Sequence, residues 1–142
     1  MRRTVKITKI PAVQDLAWCL GSDGCYFICL CAIAEEITGK EIDLIKTAKR
    51  MIDNKIIDYD WKRPKAYKNM FYITDADKLL KALGCKEHIE KVDELPKGYK
   101  GKYIVRYTLD GNTHFVLPNY NSITYSNCVA NGRISKYYLV TQ

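Results

Sequence analysis

No stretch of this 142-residue chain is apolar for long enough to cross a bilayer. The longest near-continuous one, Cys25 to Ala34, is about half of the roughly 20 residues that a span needs. Behind the basic Met1-Arg2-Arg3 there is no apolar h-region, so the expectation is a cytoplasmic protein without signal peptide or membrane contact. No two cysteines stand at Cys-x-x-Cys spacing, no segment is rich in Pro, Gly or Ser, and nothing repeats. Those absences speak against paired zinc knuckles, a flexible linker and a solenoid. Histidine is scarce, with only His88 and His114 available for imidazole chemistry. Acidic residues are the minority, 16 against 23 Lys and Arg, for a net charge of +7. That balance permits contact with nucleic acid, anionic lipid or an acidic partner without demanding any of them. The positive charges are spread through the chain, as on a solvated surface.

The composition is that of a globular chain, 47% hydrophobic and 27% charged, and the length suits one domain over residues 1–142. Val5, Ile7 and Ile10 are spaced like one face of a short strand that ends at Pro11. Gly21-Ser22-Asp23-Gly24 then offers turn and cap residues. Ser22 or Asp23 can accept from the first free N–H groups of a helix over Cys25 to Ile37, and Gly39 suits a left-handed C-cap. This helix is apolar on nearly every face, which places it in the middle of a domain. A second helix fits Glu41 to Asn54, with Ile42, Ile45, Ala48, Met51 and Ile52 on one stripe. Residues 55–72, with Tyr59, Trp61, Pro64 and Tyr67, read as an irregular surface loop bordering a site. Thr74-Asp75-Ala76-Asp77 opens a third helix, packed by Leu79, Leu80 and Leu83 and ended by Gly84.

From residue 100 the period changes from 3.6 to 2. Tyr103, Val105, Tyr107 and Leu109 share one strand face, and Asp110-Gly111-Asn112 signals a hairpin. Thr113 to Leu117 return, Pro118 to Asn121 turn, Ile123 to Ser126 follow, and Ile134 to Val140 form a last strand. Helices followed by an antiparallel meander predict an α+β fold, the central helix packed on a C-terminal sheet.

Six cysteines are many for this length, and without a secretory signal they read as buried thiols, metal ligands or a catalytic thiol. Cys25 is the one placed for chemistry. At the first turn of a helix it feels the dipole and the unpaired N–H groups, which favour thiolate over thiol. Gly24 lets the backbone approach a carbonyl, and the Cys25 N–H can serve an oxyanion hole. A nucleophilic thiol needs a base. His88 sits in a charged stretch and reads as exposed. His114, at the start of a strand, can reach Cys25 if the helix packs on the sheet. Asn127, near the end of the strand that returns beside His114, is placed to orient the imidazole. Ser126, Asn119 and Asn121 are alternatives. Gln14, upstream of the helix, offers a second oxyanion donor.

The order Gln14, Gly24-Cys25 at a helix start, His114-Phe115-Val116-Leu117 at a strand start and then Asn127 resembles the papain-like cysteine peptidase superfamily. The nearer resemblance is to its small bacterial and phage branch, related to the bacteriocin-leader-processing peptidases. The chain is also similar to a family of short phage- and plasmid-borne proteins with a Gly-Cys-Tyr-Phe helix start and a His-Phe-Val strand. Here the glycine precedes the thiol and Tyr26 follows it, unlike the Asp-Cys-Gly motif of the processing peptidases. The resemblance implies a papain-like fold and thiol-based cleavage or transfer at a peptide or isopeptide bond, acting on a peptide or protein without a cofactor.

Blander readings stand beside this one. Cys19, Cys29, Cys31, Cys85 and Cys128 read as small buried hydrophobes. Cys25 and Cys29, four apart on one helix face, could join His114 at a zinc ion, but no second ligand pair accompanies them. Tyrosines interleaved with Lys102, Arg106, Arg133 and Lys136 could form a nucleic-acid platform, though without a specific motif. A non-enzymatic module of a phage or mobile element, contacting nucleic acid or a host protein, is the competing function class.

Overall fold

The computed structural model describes residues 24–59, 71–118 and 131–142. Helices α1 (Cys25–Thr38) and α2 (Leu44–Asp53) lead to a two-residue ladder of β1 (Ile57–Asp58) with β2 (Tyr72–Ile73). Helix α3 (Ala76–Ala82) follows, and then β3 (His88–Val92), β4 (Tyr103–Leu109), β5 (Asn112–Val116) and β6 (Arg133–Thr141). The last four form an antiparallel sheet in the order β3-β6-β4-β5. The chain is therefore α+β, as the change of period predicts. The strands expected over Val5 to Ile10 and Ile123 to Ser126 lie outside the described residues, as do Ser22 and Asp23.

Helix α1 is the centre of the core. Cys29, Leu30, Cys31, Ala32, Ile33 and Ala34 are wholly buried, and Phe27 nearly so. Its N-cap is Gly24, with no side-chain cap hydrogen bond, and Gly39 closes it in the left-handed region at φ 71°. The only buried acid among the described residues, Glu35, is used locally: its Oε2 accepts from the Ile42 N–H at 2.6 Å and anchors the α1–α2 connection. Helix α2 starts later than the expected Glu41 because the Asp43 side chain caps it, accepting from the Lys46 N–H. Asp75 does the same for α3 through the Lys78 N–H. Met51, Leu79 and Leu80 project from α2 and α3 into the core that α1 fills.

Two features of the sheet differ from a simple meander. His88, in its charged stretch, opens a strand and pairs with Thr141 across the β3–β6 ladder. Strand β6 lies between β3 and β4, so β5 is at the sheet's end among the described residues. The β4–β5 hairpin closes through Asp110 (φ 49°) and Gly111 (φ 81°), the pair of left-handed residues that a two-residue type I′ turn requires. With Leu109 opposite Asn112, every later pair is set: Tyr107 with His114, Arg106 with Phe115, Val105 with Val116. Side chains opposite one another share a face, so Ile104, Arg106, Thr113, Phe115 and Tyr138 look one way and Val105, Tyr107, His114 and Leu139 the other.

Helix α1 packs on the first of these faces. Tyr26 stacks on Phe115 with centroids 4.5 Å apart and tilts against Tyr138 at 5.3 Å. Ile104, Leu117 and Tyr138 join the core that α1 fills. On the other face Val105 and Leu139 are also buried, and the rings of Tyr99, Tyr103 and Tyr137 meet edge to face.

Candidate functional site

Cys25 is the first residue of α1 and half-buried, and its thiol is not in a disulfide. It opens into a groove of about 700 Å³ between the helix start, the short β1–β2 ladder and the sheet. Phe27, Phe71 and Phe115 supply apolar walls, and Asp58, Lys91 and Arg106 supply charge. The position of Cys25 follows from sequence: an all-apolar helix has to run through the core, and its first residue emerges where the core ends.

The other described thiols differ in kind. Burial drives the Cys29 thiol far above the ordinary range, and neighbouring Cys25 and Cys31 push it the same way. Burial also raises Cys85. Neither can be a thiolate near neutral pH, in keeping with cysteines acting as small hydrophobes. The Tyr26 hydroxyl, beside the groove, is likewise held in its neutral form by burial.

His114 is on β5, the strand α1 packs against, but not on the face that meets the helix. Thr113 and Phe115 line the groove, whereas His114 lies opposite Tyr107 on the far face. Its Nε2 is buried without a hydrogen-bond partner, and burial lowers its pKa. The described arrangement thus brings Cys25 and the His114 strand together without bringing the thiol and the imidazole onto one face. The physical reason is the two-residue turn, which determines the register, and a period of 2, which leaves neighbours on opposite sides. Gln14 and Asn127, with the alternatives Ser126, Asn119 and Asn121, lie outside the described residues. His88 is exposed, as expected, 3.6 Å from Asp77.

Among the described residues there is no group of three or more His, Cys, Asp or Glu side chains able to hold a metal ion. Nor is any helix there long and apolar enough to cross a membrane.

Asp58, Lys91, Arg106 and Thr113 line the groove without standing among the site residues that the sequence points to. The signal for Arg106 was present: if Tyr103, Val105 and Tyr107 share a face, Arg106 is on the other. For Asp58 and Lys91 no local pattern existed, because the pairing of β1 with β2 and of β3 with β6 is non-local. Of the aromatics expected to border a site, Tyr59 is buried in the core against Phe71; Trp61 and Tyr67 lie outside the described residues.

Compared with known proteins, the chain matches no protein-family model, no curated protein and no solved structure.

Proposed function

We propose that this chain is a cytoplasmic, papain-like cysteine hydrolase that cleaves or transfers at a peptide or isopeptide bond of a peptide or protein. Cys25 attacks the carbonyl carbon, forming a thioester and expelling the amine; water or a second amine then releases the acyl group. The observation that carries this reading is the position of Cys25, a thiol outside any disulfide at the first residue of the core helix, opening into a groove. A thiol there needs no metal or cofactor to become nucleophilic, since the helix N-terminus favours the thiolate. In the full arrangement His114 takes the thiol proton and returns it to the leaving amine. Asn127 orients the imidazole, and Gln14 with the Cys25 N–H stabilises the oxyanion.

For His114 to act as base, its imidazole has to move to the helix side of β5. The buried Nε2 has no partner, a state that costs about 1–3 kcal/mol. Strand β5 is also held by only one neighbour among the described residues. A second reading, a groove that binds a peptide without cutting it, is favoured by the register itself, which keeps His114 opposite Tyr107.

Site-resolved alkylation decides between them. Limiting iodoacetamide is applied to the native protein between about pH 5 and pH 9, and the labelled cysteine is identified by mass spectrometry. The hydrolase reading expects selective labelling of Cys25 well below the roughly 8.5 of an ordinary thiol, lost in His114→Ala. Labelling of Cys25 that follows an ordinary thiol and ignores His114 removes the hydrolase and leaves the binding groove. Hydrolytic activity surviving Cys25→Ser would also overturn the proposal.

A further inference from the structure

Among the described residues, the groove at Cys25 carries cationic groups that form no ion pair. Arg106 lies on its floor, opposite Phe115 in the ladder. Among the described residues its guanidinium is held by neutral hydroxyls alone: Nε donates to Ser135 Oγ at 2.9 Å and an Nη donates to the Tyr138 hydroxyl at 3.3 Å. Ser135 occupies this place because of a β-bulge. Arg106 pairs with Lys136 and Tyr107 with Ile134, so Ser135 is the extra residue on β6. Its hydroxyl accepts from Thr108 Oγ1 at 2.8 Å and can donate to the Arg106 carbonyl at 3.1 Å. A bulge of this kind re-aims a side chain locally.

The neighbouring charges sharpen the contrast. Lys136, opposite Arg106, is neutralised by Asp93. Lys91 lines the groove opposite Tyr138 and adds to the field that keeps the Asp93 carboxyl acidic. Among the described residues no carboxylate stands within ion-pairing distance of Arg106 or Lys91. A guanidinium fixed by hydroxyls through part of its fork keeps its remaining N–H groups for a planar anion.

We propose that Arg106 and Lys91 form a subsite for a carboxylate of the bound peptide, beside the Cys25 thiol. The inference deepens the proposed function by naming what the groove selects. A carboxylate suits it better than a nucleic-acid backbone. Asp58 lines the same groove and repels a polyanion, and Phe27, Phe71 and Phe115 offer an apolar wall to the rest of a peptide. The carboxylate has two possible sources, an acidic side chain or a C-terminus, and the test separates them.

The full chain, labelled with ¹⁵N-arginine, is titrated with three compounds while the Arg106 Nε–Hε signal is followed. N-acetylglutamate amide carries only a side-chain carboxylate, N-acetylalanine only a terminal one, and N-acetylglutamine amide neither. The expected result is a saturable shift with one of the two carboxylates and none with the glutamine amide. The carboxylate that gives the shift should also slow alkylation of Cys25. Arg106→Gln should weaken this protection roughly tenfold or more, the loss expected for a charge-assisted hydrogen bond. Lys91→Gln, a change at an exposed strand position, should weaken it less. It keeps the test open if Arg106→Gln unfolds, because the Arg106 signal remains readable there.

Equal shifts with the glutamine amide overturn the subsite, as does protection unchanged by both variants. A shift given only by a single-stranded oligonucleotide also overturns it, in favour of nucleic acid. The readout needs no turnover. Carboxylate binding with an unreactive Cys25 keeps the subsite and removes the hydrolase, and hydrolysis without carboxylate binding does the reverse.

Discussion

Burial holds the His114 imidazole neutral, and that makes it a measurable contributor to pH dependence. Its folded pKa is depressed below the ordinary 6.5. The unfolded chain therefore binds the proton more readily, and stability is lost as pH falls through and below that value. Thermal unfolding followed by circular dichroism should show Tm falling between about pH 7.5 and pH 5. In His114→Phe the fall should be smaller. The same variant should unfold no more easily than wild type near neutral pH, since an apolar ring removes the unpartnered Nε2. A loss of more than about 2 kcal/mol there would mean that the imidazole is satisfied in the folded state. Tyr26 makes the reverse prediction. Its ring stacks on Phe115 and touches Tyr138, so Tyr26→Leu should cost about 1 kcal/mol beyond its lost area, read by urea denaturation.

The helices were legible because each carries its own chemistry. The all-apolar Cys25-to-Ala34 run announces a buried helix, and Leu30, wholly buried there, tests it. Leu30→Ala should destabilise by about 2–5 kcal/mol, with Leu30→Met much milder. The caps were legible in kind but not in position. Asp75 was readable as an opener, whereas the entry to α2 slipped from Glu41 to Asp43, because the chain between them is held by the Glu35 carboxylate. Asp75→Ala should cost about 1 kcal/mol and Asp75→Asn almost nothing, as both oxygens accept from the Lys78 N–H. The β4–β5 turn was equally clear. Gly111 sits at φ 81°, and Gly111→Val should cost about 1–2 kcal/mol because a branched side chain resists that conformation.

At the scale of the whole molecule, charge and topology act where local pattern says little. The +7 charge is spread along the sequence, and some of it is paired, as in Lys102 with Glu36. Oligonucleotide binding should therefore be weak and fall steeply with salt. A Kd tighter than about 1 μM at physiological ionic strength, unaffected by Cys25→Ala, would favour the nucleic-acid module over the peptide groove. The sequence by itself determined the α+β class, the helix starts near residues 25 and 75, the presence of a second helix between them, the Asp110-Gly111 hairpin and the thiol at a helix start. All of these rest on contacts between residues close in the chain, where periodicity, caps and turn residues act directly. With the two-residue turn, local rules even put His114 on the face of Tyr107. Which face of that sheet the core helix would cover was a different matter. It depends on β6 entering between β3 and β4, and on Tyr26 finding Phe115 and Tyr138. Only the tertiary structure decided that, because both faces carry aromatic and aliphatic side chains, and alternation distinguishes two faces without saying which one is buried by the helix.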